Sequence, residues 1–242
     1  PPFRLTITQA QKMNTTIQQT HLQENRFTLS DPVYKSWVHQ YTFDELKKDL
    51  GEKGDVTTSL LFALDARGSA NVVVKQKGIL AGMQEAKYFL NTFPVSCSFL
   101  KKDGDEVVAT DIILKLSGKI SDLMKVERVL LNLLGRMSGI ATKTNRLVKL
   151  AREVSPNILL TPTRKTLWGW LDKRACVLGG GGTQRLSLDS AILIKHNHAR
   201  AFGKNTRELL QKIISQKPAA KFLEIEVNKK EDAFTATQVF SE

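Results

Sequence analysis

Apolar residues recur at helical spacing between residues 121 and 137. One face of a helical wheel collects Leu123, Val126, Leu130, Leu134 and Met137. This pattern predicts a helix that buries one side, and Ser121 is a residue type that favours a helix N-cap. Arg128 lies nearly opposite the stripe, beside Met124 and Leu131. It is therefore either a solvated arginine or part of a second interface.

The chain before this helix alternates between helical and strand patterns. Helical spacing occurs at residues 43–50 and 84–93. β-Branched and alternating runs, which are typical of strands, occur at residues 69–80, 94–100 and 105–120. Gly51 ends the first helical pattern, and residues 51–59 have the composition of a loop. Together these patterns predict a mixed α+β domain.

A further helix is predicted at residues 141–154, and a regular alternation follows it. Short apolar runs typical of strands occur at residues 157–161, 175–178, 191–195 and 222–226. Helical patterns occur at residues 207–217 and 231–240. Strands that alternate with helices predict a parallel β/α arrangement.

Charged residues stand at the carboxyl end of each strand predicted in this second part. They are Arg164 and Lys165, Arg185, Lys195, and Glu226. In β/α barrels the functional side chains lie at these strand ends. Several cations with one carboxylate are suited to the capture of a multiply charged anion, because Arg binds carboxylate or phosphate through two N–H groups and Lys acts as a point charge.

A glycine run and two histidines lie among these strand ends. Gly179–Gly182 lacks the pattern of a P-loop or a dinucleotide-binding turn, so it predicts close backbone approach to a ligand or a tight turn. His196 and His198 are too few for a histidine-rich zinc centre. Glu226, with Glu224 nearby, is suited to hold Mg²⁺ through oxygen alongside substrate phosphates.

The charge of the chain narrows the class of partner. Its 242 residues carry a formal net charge of +12, which favours anionic partners. The sequence has no zinc-finger, RNP or basic-zipper pattern, so we do not expect a nucleic-acid partner. It also has no apolar run long enough to span a membrane and no signal-peptide pattern. Cys97 and Cys176 lie far apart in apolar surroundings, which is typical of a reducing compartment, and we expect a cytoplasmic protein.

Four motifs, in one order along the chain, resemble the quinolinate phosphoribosyltransferase family. They are ERVLLNLLGRMSGIAT from Glu127, TRKT from Thr163, the glycine run that ends in Arg185-Leu186, and IKxNH from Ile194. Upstream, GDVTTSLLF and GILAGM are similar to that family's N-terminal domain. The resemblance runs from about Thr42 to the end of the chain.

This resemblance implies an α/β fold class, with an N-terminal α/β sandwich joined to an open β/α barrel. It implies a homodimer in which the neighbouring subunit completes each active site. The implied enzyme is a carboxylating nicotinate-nucleotide diphosphorylase, a pentosyltransferase of NAD biosynthesis. It joins quinolinate to phosphoribosyl pyrophosphate with Mg²⁺ and forms nicotinate mononucleotide, pyrophosphate and CO₂.

The expected domains follow from the resemblance and the patterns together. We expect an N-terminal extension at residues 1–40 and the sandwich at residues 41–120, with part of the helices at 121–153. The barrel is expected at residues 121–242. At about 30 residues for each β/α unit, about four units fit after residue 120, so we expect the C-terminal strands of the barrel to be missing from this chain.

Quinolinate binding is assigned by the resemblance to a set of cations. Arg164, Arg185 and Lys195 are expected to form the dicarboxylate pocket, and Arg128 is expected to reach into the partner's site. Gln184 is also expected to contact the substrate, at a position where the family has histidine. A glutamine side chain donates hydrogen bonds but carries no charge.

Phosphate chemistry is assigned to the same strand ends. Lys165, Lys195 and Glu226 are the expected catalytic residues, with both lysines at phosphates and Glu226 at Mg²⁺ and the ribose. His196 stands where the family has an aspartate. The stretch between Lys165 and the glycine run is also shorter than in the family, which would reshape the rim of the pocket.

These departures leave other functions open. The first alternative is a catalytically weakened or inactive homologue that binds an anionic ligand or acts as a regulatory or partner subunit. A related enzyme that acts on another acidic base is a weaker alternative, and a nucleic-acid binder is the weakest.

Overall fold

The computed structural model describes residues 21–203, 205–216 and 222–241. These residues form two compact units, one of residues 23–183 and one of residues 21–22 with 184–241. Residues 1–20, half of the expected N-terminal extension, lie outside the described residues. The predicted domain boundaries stay predictions. No helix among the described residues has the length and apolar character needed to cross a membrane.

The larger unit begins with a nearly continuous helical run. A 3₁₀ turn at Glu24–Arg26 precedes helix α1 (Pro32–His39), which passes through a π-helical turn at Gln40–Asp44 into α2 (Glu45–Leu50). The Asp31 carboxylate caps α1 by accepting hydrogen bonds from the backbone N–H groups of Val33 and Tyr34. Gly51 ends the run with φ of +54°, a left-handed value that glycine adopts without strain, so the predicted end of this helix is confirmed.

Two small antiparallel sheets follow. Strands β1 (Arg67–Val73), β5 (Ile112–Lys119) and β3 (Ser96–Phe99) pair in the order β1-β5-β3. Strands β2 (Gly78–Ile79) and β4 (Glu106–Val107) form the second sheet. Each predicted strand region therefore contains at least one strand, although residues 74–77 and 108–111 lie outside the strands. The central strand, β5, alternates exposed and buried residues from Leu114 onward, as expected for a strand with one face on the core.

Two short helices accompany these sheets. Helix α4 (Met83–Leu90) overlaps the predicted 84–93 segment and begins one residue before it. Helix α3 (Val56–Leu61) lies where the composition predicts a loop, and that prediction is wrong after Asp55. The Asp55 carboxylate accepts a hydrogen bond from the Thr58 N–H and so starts a helical turn.

A 35-residue helix, α5 (Ile120–Val154), is the longest element of the larger unit. Its predicted apolar stripe is buried throughout. The prediction of two separate helices is wrong, because Ala141, Thr144 and Val148 continue the buried face without a break. The N-cap is Lys119 rather than the predicted Ser121, and it makes no side-chain capping bond.

Two strands predicted after α5 are absent from the described residues. Residues 157–161 form an irregular segment, and residues 175–178 lie in helix α6 (Trp170–Leu178). A short apolar run does not distinguish a strand from one side of a buried helix. Trp170, Leu171 and Ala175 are buried at helical spacing, so the segment packs against the core as a helix.

The smaller unit has the predicted parallel arrangement. Strands β6 (Ile192–Ile194) and β7 (Leu223–Ile225) pair in parallel, with Ile194 opposite Ile225. Helices α7 (His196–Phe202) and α8 (Thr206–Ser215) lie between them in the sequence, and α9 (Lys230–Ser241) follows β7. Ile194, Leu210 and Val239 are among the residues of a shared apolar core. This βαβ unit places the residues that follow β6 and β7 at one edge of the sheet.

Candidate active site

Arg128 projects from α5 on the side away from the buried stripe. Its side chain is 62% exposed, and its guanidinium lies 3.8 Å from the Glu127 carboxylate. With Tyr41, Trp168 and other residues it lines a cleft of about 330 Å³ in the larger unit. Arg128 is therefore available to an anion that approaches this face.

Arg164 and Lys165 lie in the irregular segment between α5 and α6, and both are exposed. The Lys165 backbone N–H donates to the Thr163 hydroxyl at 3.0 Å. Among the described residues, neither cationic head forms a hydrogen bond or an ion pair within the chain. The predicted strand before them is not formed.

The glycine run closes against helix α5. A Cβ atom on Gly179 would lie 2.4 Å from the Ala141 carbonyl oxygen, and one on Gly181 would lie 2.9 Å from the Leu160 carbonyl oxygen. The Gly182 N–H donates to that Leu160 oxygen at 2.8 Å. The glycines are therefore required for close backbone packing, which positions the residues that follow them.

Replacing Gly179 by alanine is expected to destabilise the protein by about 3 kcal/mol, because the clash is with helix backbone that cannot move alone. The matched control is Gly104→Ala, where φ is +88° but no atom lies within 4 Å of the added Cβ. Left-handed backbone strain alone costs about 1–2 kcal/mol there. Denaturant unfolding of both variants measures the difference, and equal losses would contradict the packing role of Gly179.

Two residues that sequence reasoning missed hold the exit of the glycine run. Lys173 is only 2% exposed, and its ammonium group donates to the Thr183 carbonyl oxygen at 2.7 Å. The Thr183 hydroxyl accepts a hydrogen bond from the Gln23 N–H at 3.2 Å. Lys173 lies between Trp170 and Ala175 on the buried part of α6, so helical spacing was the signal that could have found it.

Gln184 and Arg185 begin the smaller unit. Gln184 has φ of +52°, uncommon for a residue with a side chain, and its amide lies 3.5 Å from a Glu224 carboxylate oxygen. Arg185 is only 6% exposed and donates from Nη1 to the Ala191 carbonyl oxygen at 3.0 Å. The expectation that Arg185 follows a strand is wrong, since residues 175–178 are helical.

Lys195 and Glu226 occupy neighbouring strand ends, as predicted. Lys195 directly follows β6, Glu226 directly follows β7, and the Glu226 N–H donates to the Ile194 carbonyl oxygen at 2.9 Å. Both residues are exposed. The His198 ring accepts a hydrogen bond through Nδ1 from the Lys195 N–H at 2.9 Å, so His198 caps α7.

A cleft of about 670 Å³ adjoins this edge of the small parallel sheet. Its lining carries both signs of charge and includes Arg200, Glu226, Lys229, Glu231 and Asp232. The described residues contain no cluster of three or more His, Cys, Asp or Glu side chains arranged to bind a metal ion. Glu226 makes no ion pair with a described residue. Its exposed carboxylate fits Mg²⁺ only as one ligand alongside substrate phosphates, the usual coordination of that ion.

The two units thus divide the predicted site residues. The larger unit carries Arg128, Arg164 and Lys165, and the smaller unit carries Gln184, Arg185, Lys195 and Glu226. Within the smaller unit, the strand pairing brings Lys195 and Glu226 to the same sheet edge. Each unit presents cations at its surface or fixed to its backbone, as a receptor for a multiply charged anion requires.

Two family models match most of the chain. The N-terminal domain of quinolinate phosphoribosyl transferase matches residues 55–138, and the C-terminal domain of the same family matches residues 140–241. A probable carboxylating nicotinate-nucleotide pyrophosphorylase of Methanothermobacter thermautotrophicus is 35% identical over 195 residues, which is 80% of this chain and 69% of that protein. The chloroplastic carboxylating enzyme of Arabidopsis thaliana is 34% identical over 77% of this chain and 54% of its own length.

Solved structures agree with these matches. The nicotinate-nucleotide pyrophosphorylase of Francisella tularensis superimposes with a TM-score of 0.73 at 28% identity and covers 85% of this chain and 71% of its own. A deletion mutant of NadC gives a TM-score of 0.72 at 28% identity, with 81% of this chain and 71% of its own covered. These neighbours confirm the predicted α/β fold class. The chain therefore belongs to the quinolinate phosphoribosyltransferase family, a family of pentosyltransferase enzymes.

Proposed function

We propose that this protein transfers a phosphoribosyl group from phosphoribosyl pyrophosphate to quinolinate and releases CO₂. The products are nicotinate mononucleotide and pyrophosphate. The observation that carries the proposal is the placement of Lys195 and Glu226 at adjacent carboxyl ends of β6 and β7, within a stretch matched by the family model. A cation beside a carboxylate at this edge suits a substrate that carries phosphates and a metal ion.

Quinolinate is a dianion, and the proposed pocket opposes it with guanidinium groups. Arg164 is exposed for direct contact, whereas Arg185 is buried and held by the Ala191 carbonyl. A pre-oriented guanidinium loses less conformational freedom on binding a carboxylate than a free one. The two arginines together match the two carboxylates of the substrate, and Arg185 is the pre-oriented one.

Ring-nitrogen attack on the ribose is the proposed first step. The pyridine nitrogen forms a bond to C1 of the ribose as pyrophosphate departs, and positive charge develops on the sugar. Lys165 and Lys195 stabilise the negative charge of the leaving pyrophosphate. Glu226 supplies a carboxylate for Mg²⁺, which neutralises the phosphates when it is bound.

Loss of CO₂ is the proposed second step. The bond from ring carbon C2 to its carboxylate breaks, and its electron pair stays on C2, beside the positively charged ring nitrogen. A proton then takes the place of CO₂. The substrate supplies its own electron sink, so the protein's contribution is to hold the ring and its remaining carboxylate.

A homodimer with shared sites is part of the proposal. Support comes from the exposed side of α5, where Arg128 lies among Met124, Leu131 and Gly135. An apolar groove of about 540 Å³, lined in part by Leu131 and Gly135, runs along this side of the helix. Exposed apolar residues beside an arginine on one side of a helix suit an interface that delivers the arginine to a neighbouring subunit.

Mixing of inactive variants tests the shared site. Arg128→Ala and Arg164→Ala are each expected to lose activity, but a mixed dimer holds one intact site. Random mixing should therefore restore about a quarter of wild-type activity. The measurement is the rate of product formation after denaturation and joint refolding of the two variants.

The matched control mixes Arg164→Ala with Arg185→Ala. Both arginines are assigned to the same subunit's pocket, so each site of the mixed dimer keeps one defect and activity should stay low. Equal recovery in both mixtures, or none in a verified mixed dimer of the first pair, would contradict the shared site.

A non-catalytic homologue is the second candidate function, and Gln184 is the observation that favours it. A neutral amide with φ of +52° stands where the resemblance to the family implies histidine. Such a protein would bind quinolinate and form no product, whereas the enzyme forms nicotinate mononucleotide. A cytoplasmic location is proposed for both candidates, because Cys97 and Cys176 are free thiols.

A further inference from the structure

The segment that follows Arg164 and Lys165 is fastened through its backbone. The Asp172 carboxylate accepts hydrogen bonds from the N–H groups of Leu167 and Trp168 at 3.0 and 3.1 Å. The Asp172 carboxylate in turn accepts hydrogen bonds from Nε and Nη2 of Arg136 at 2.8 and 2.7 Å. These hydrogen bonds to the Asp172 carboxylate fix the backbone N–H groups of Leu167 and Trp168.

Tyr41 holds a backbone carbonyl group of the same segment. Its hydroxyl donates to the Leu167 carbonyl oxygen at 2.7 Å. Its ring stacks on Trp168 with centroids 4.6 Å apart and planes 16° apart, and Trp37 continues the stack at 6.2 Å and 5°. Arg136 adds a cation–π contact, with its Cζ atom 5.1 Å from the Trp168 ring centre. Tyr41 therefore contacts both the backbone and the side chain of this short segment.

Gly169 completes the fit. Its φ is +52°, and a Cβ atom there would lie 2.7 Å from three atoms of the Trp37 ring. Only glycine allows the chain to turn here with an indole ring directly against it. The Trp37–Tyr41 helical segment and residues 167–169 are thus shaped to each other.

We propose that Tyr41 is a positioning residue for quinolinate binding, acting through Trp168 and the Leu167 carbonyl on the Arg164–Lys165 segment. This inference rests on the proposed function, because it assigns substrate contact to those two cations. Their side chains form no hydrogen bond or ion pair with the described residues, so their placement depends on the backbone that Tyr41 and Asp172 hold. Tyr41 lies outside residues 55–241, the part of the chain that the family models match.

Pre-ordering this segment lowers the cost of binding. A flexible segment would lose conformational freedom when its two cations close on a ligand, and a braced one has lost that freedom on folding. Aromatic pairs contribute about 0.5–1.5 kcal/mol beyond their buried area, so removal of the stack should weaken binding by up to about tenfold.

The test compares Tyr41→Leu, Tyr41→Phe and the control Tyr88→Leu in the full chain. Tyr88 is also half-buried and packs edge-on against Phe43, with ring centroids 5.7 Å apart, but it contacts no residue of the 163–169 segment. Tyr41→Leu removes the stack and the hydrogen bond, whereas Tyr41→Phe removes the hydrogen bond alone.

Two readouts separate positioning from general destabilisation. Trypsin cleaves after Arg164 and Lys165, and Tyr41→Leu should speed cleavage at these two bonds about tenfold under native conditions. The quinolinate KM should rise about tenfold while kcat changes less than about threefold. Tyr41→Phe should shift both readouts by less than about threefold, and Tyr88→Leu should leave both as in the wild type.

The proteolysis readout does not require activity. If the wild type forms no product, the proposed function fails, and the cleavage rates still decide whether Tyr41 holds the segment. Unchanged cleavage at Arg164 and Lys165 in Tyr41→Leu would overturn the inference. Equal acceleration in Tyr41→Leu and Tyr88→Leu would also overturn it, because the effect would then be general destabilisation.

Discussion

Arg164→Ala is expected to lower the affinity for quinolinate by about 100-fold. The guanidinium is exposed and forms no hydrogen bond or ion pair with a described residue, so its removal costs the folded protein little. The full loss falls on the charge-assisted hydrogen bonds to a substrate carboxylate, which contribute about 1.5–3 kcal/mol. Calorimetric titration of the full chain with quinolinate measures the change.

Two companion variants sharpen this result. Arg164→Lys keeps the charge but loses the two-pronged donor geometry, so its affinity should fall between those of the wild type and Arg164→Ala. Arg67→Ala removes an exposed arginine of β1 as a matched control and should bind as the wild type does. Wild-type affinity in Arg164→Ala would remove Arg164 from the pocket.

Arg185→Ala is expected to lower quinolinate affinity by a similar factor. Its guanidinium also donates to the Ala191 carbonyl, so the variant should lose some stability as well. Unfolding curves recorded with the titrations separate the two effects. An unchanged quinolinate affinity in a folded Arg185→Ala protein would contradict its assignment to the pocket.

Arg174→Met is expected to destabilise the larger unit by about 3–5 kcal/mol, the usual cost of breaking a buried ion pair. Arg174 lies 2.9 Å from carboxylate oxygens of both Glu85 and Asp103. Glu85 is fully buried and accepts a hydrogen bond from the Tyr34 hydroxyl at 2.6 Å. Without the arginine, the folded protein would hold an uncompensated buried carboxylate. The measurement is denaturant unfolding at neutral pH.

The pH dependence of this loss carries a definite sign. Burial raises the pKa of Glu85 above its usual value, and the charge of Arg174 opposes that rise. Removing Arg174 raises the folded-state pKa further, so the folded variant binds a proton more tightly than the unfolded chain does. The loss of stability in Arg174→Met is therefore fully present above the folded-state pKa of Glu85 and shrinks as the pH falls through that pKa. The difference in the free energy of unfolding between Arg174→Met and the wild type should become smaller from pH 7 to about pH 5.

Lys87→Met is the control for both measurements. It removes an exposed cation from α4, the helix that carries Glu85, and makes no ion pair with a described residue. Its stability should change by less than about 0.5 kcal/mol and should follow the wild type with pH. A gap in Arg174→Met that does not vary with pH would show that the lost energy comes from packing and not from the charge of Glu85.

The spacing of apolar residues predicts those elements in which the same spacing continues over several turns. The stripe from Leu123 to Met137 specifies both a helix and its buried side, so the outward position of Arg128 follows directly. The ends of β6 and β7 were also predictable, because Lys195 and Glu226 terminate apolar runs inside a strand-helix alternation. The apolar run at residues 175–178 predicts a strand and forms a helix, because four apolar residues fit either structure when the partners across the core are unknown.

Contacts between distant positions had no local signal. Tyr41 and Leu167 are separated by 126 positions, and nothing near either residue predicts their hydrogen bond. The buried pair of Glu85 and Arg174 is hidden in the same way, since each residue alone resembles a solvated charge on a helix. Tertiary packing determines which distant residues pair, so such pairs are visible only in the folded structure.

Product formation tests the central claim most directly. The protein is incubated with quinolinate, phosphoribosyl pyrophosphate and Mg²⁺, and the mixture is separated to detect nicotinate mononucleotide and CO₂. We predict equal amounts of both products, dependent on all three additions and lost in Arg164→Ala. A folded protein that binds quinolinate but forms neither product would contradict the proposed reaction and identify a non-catalytic member of the family.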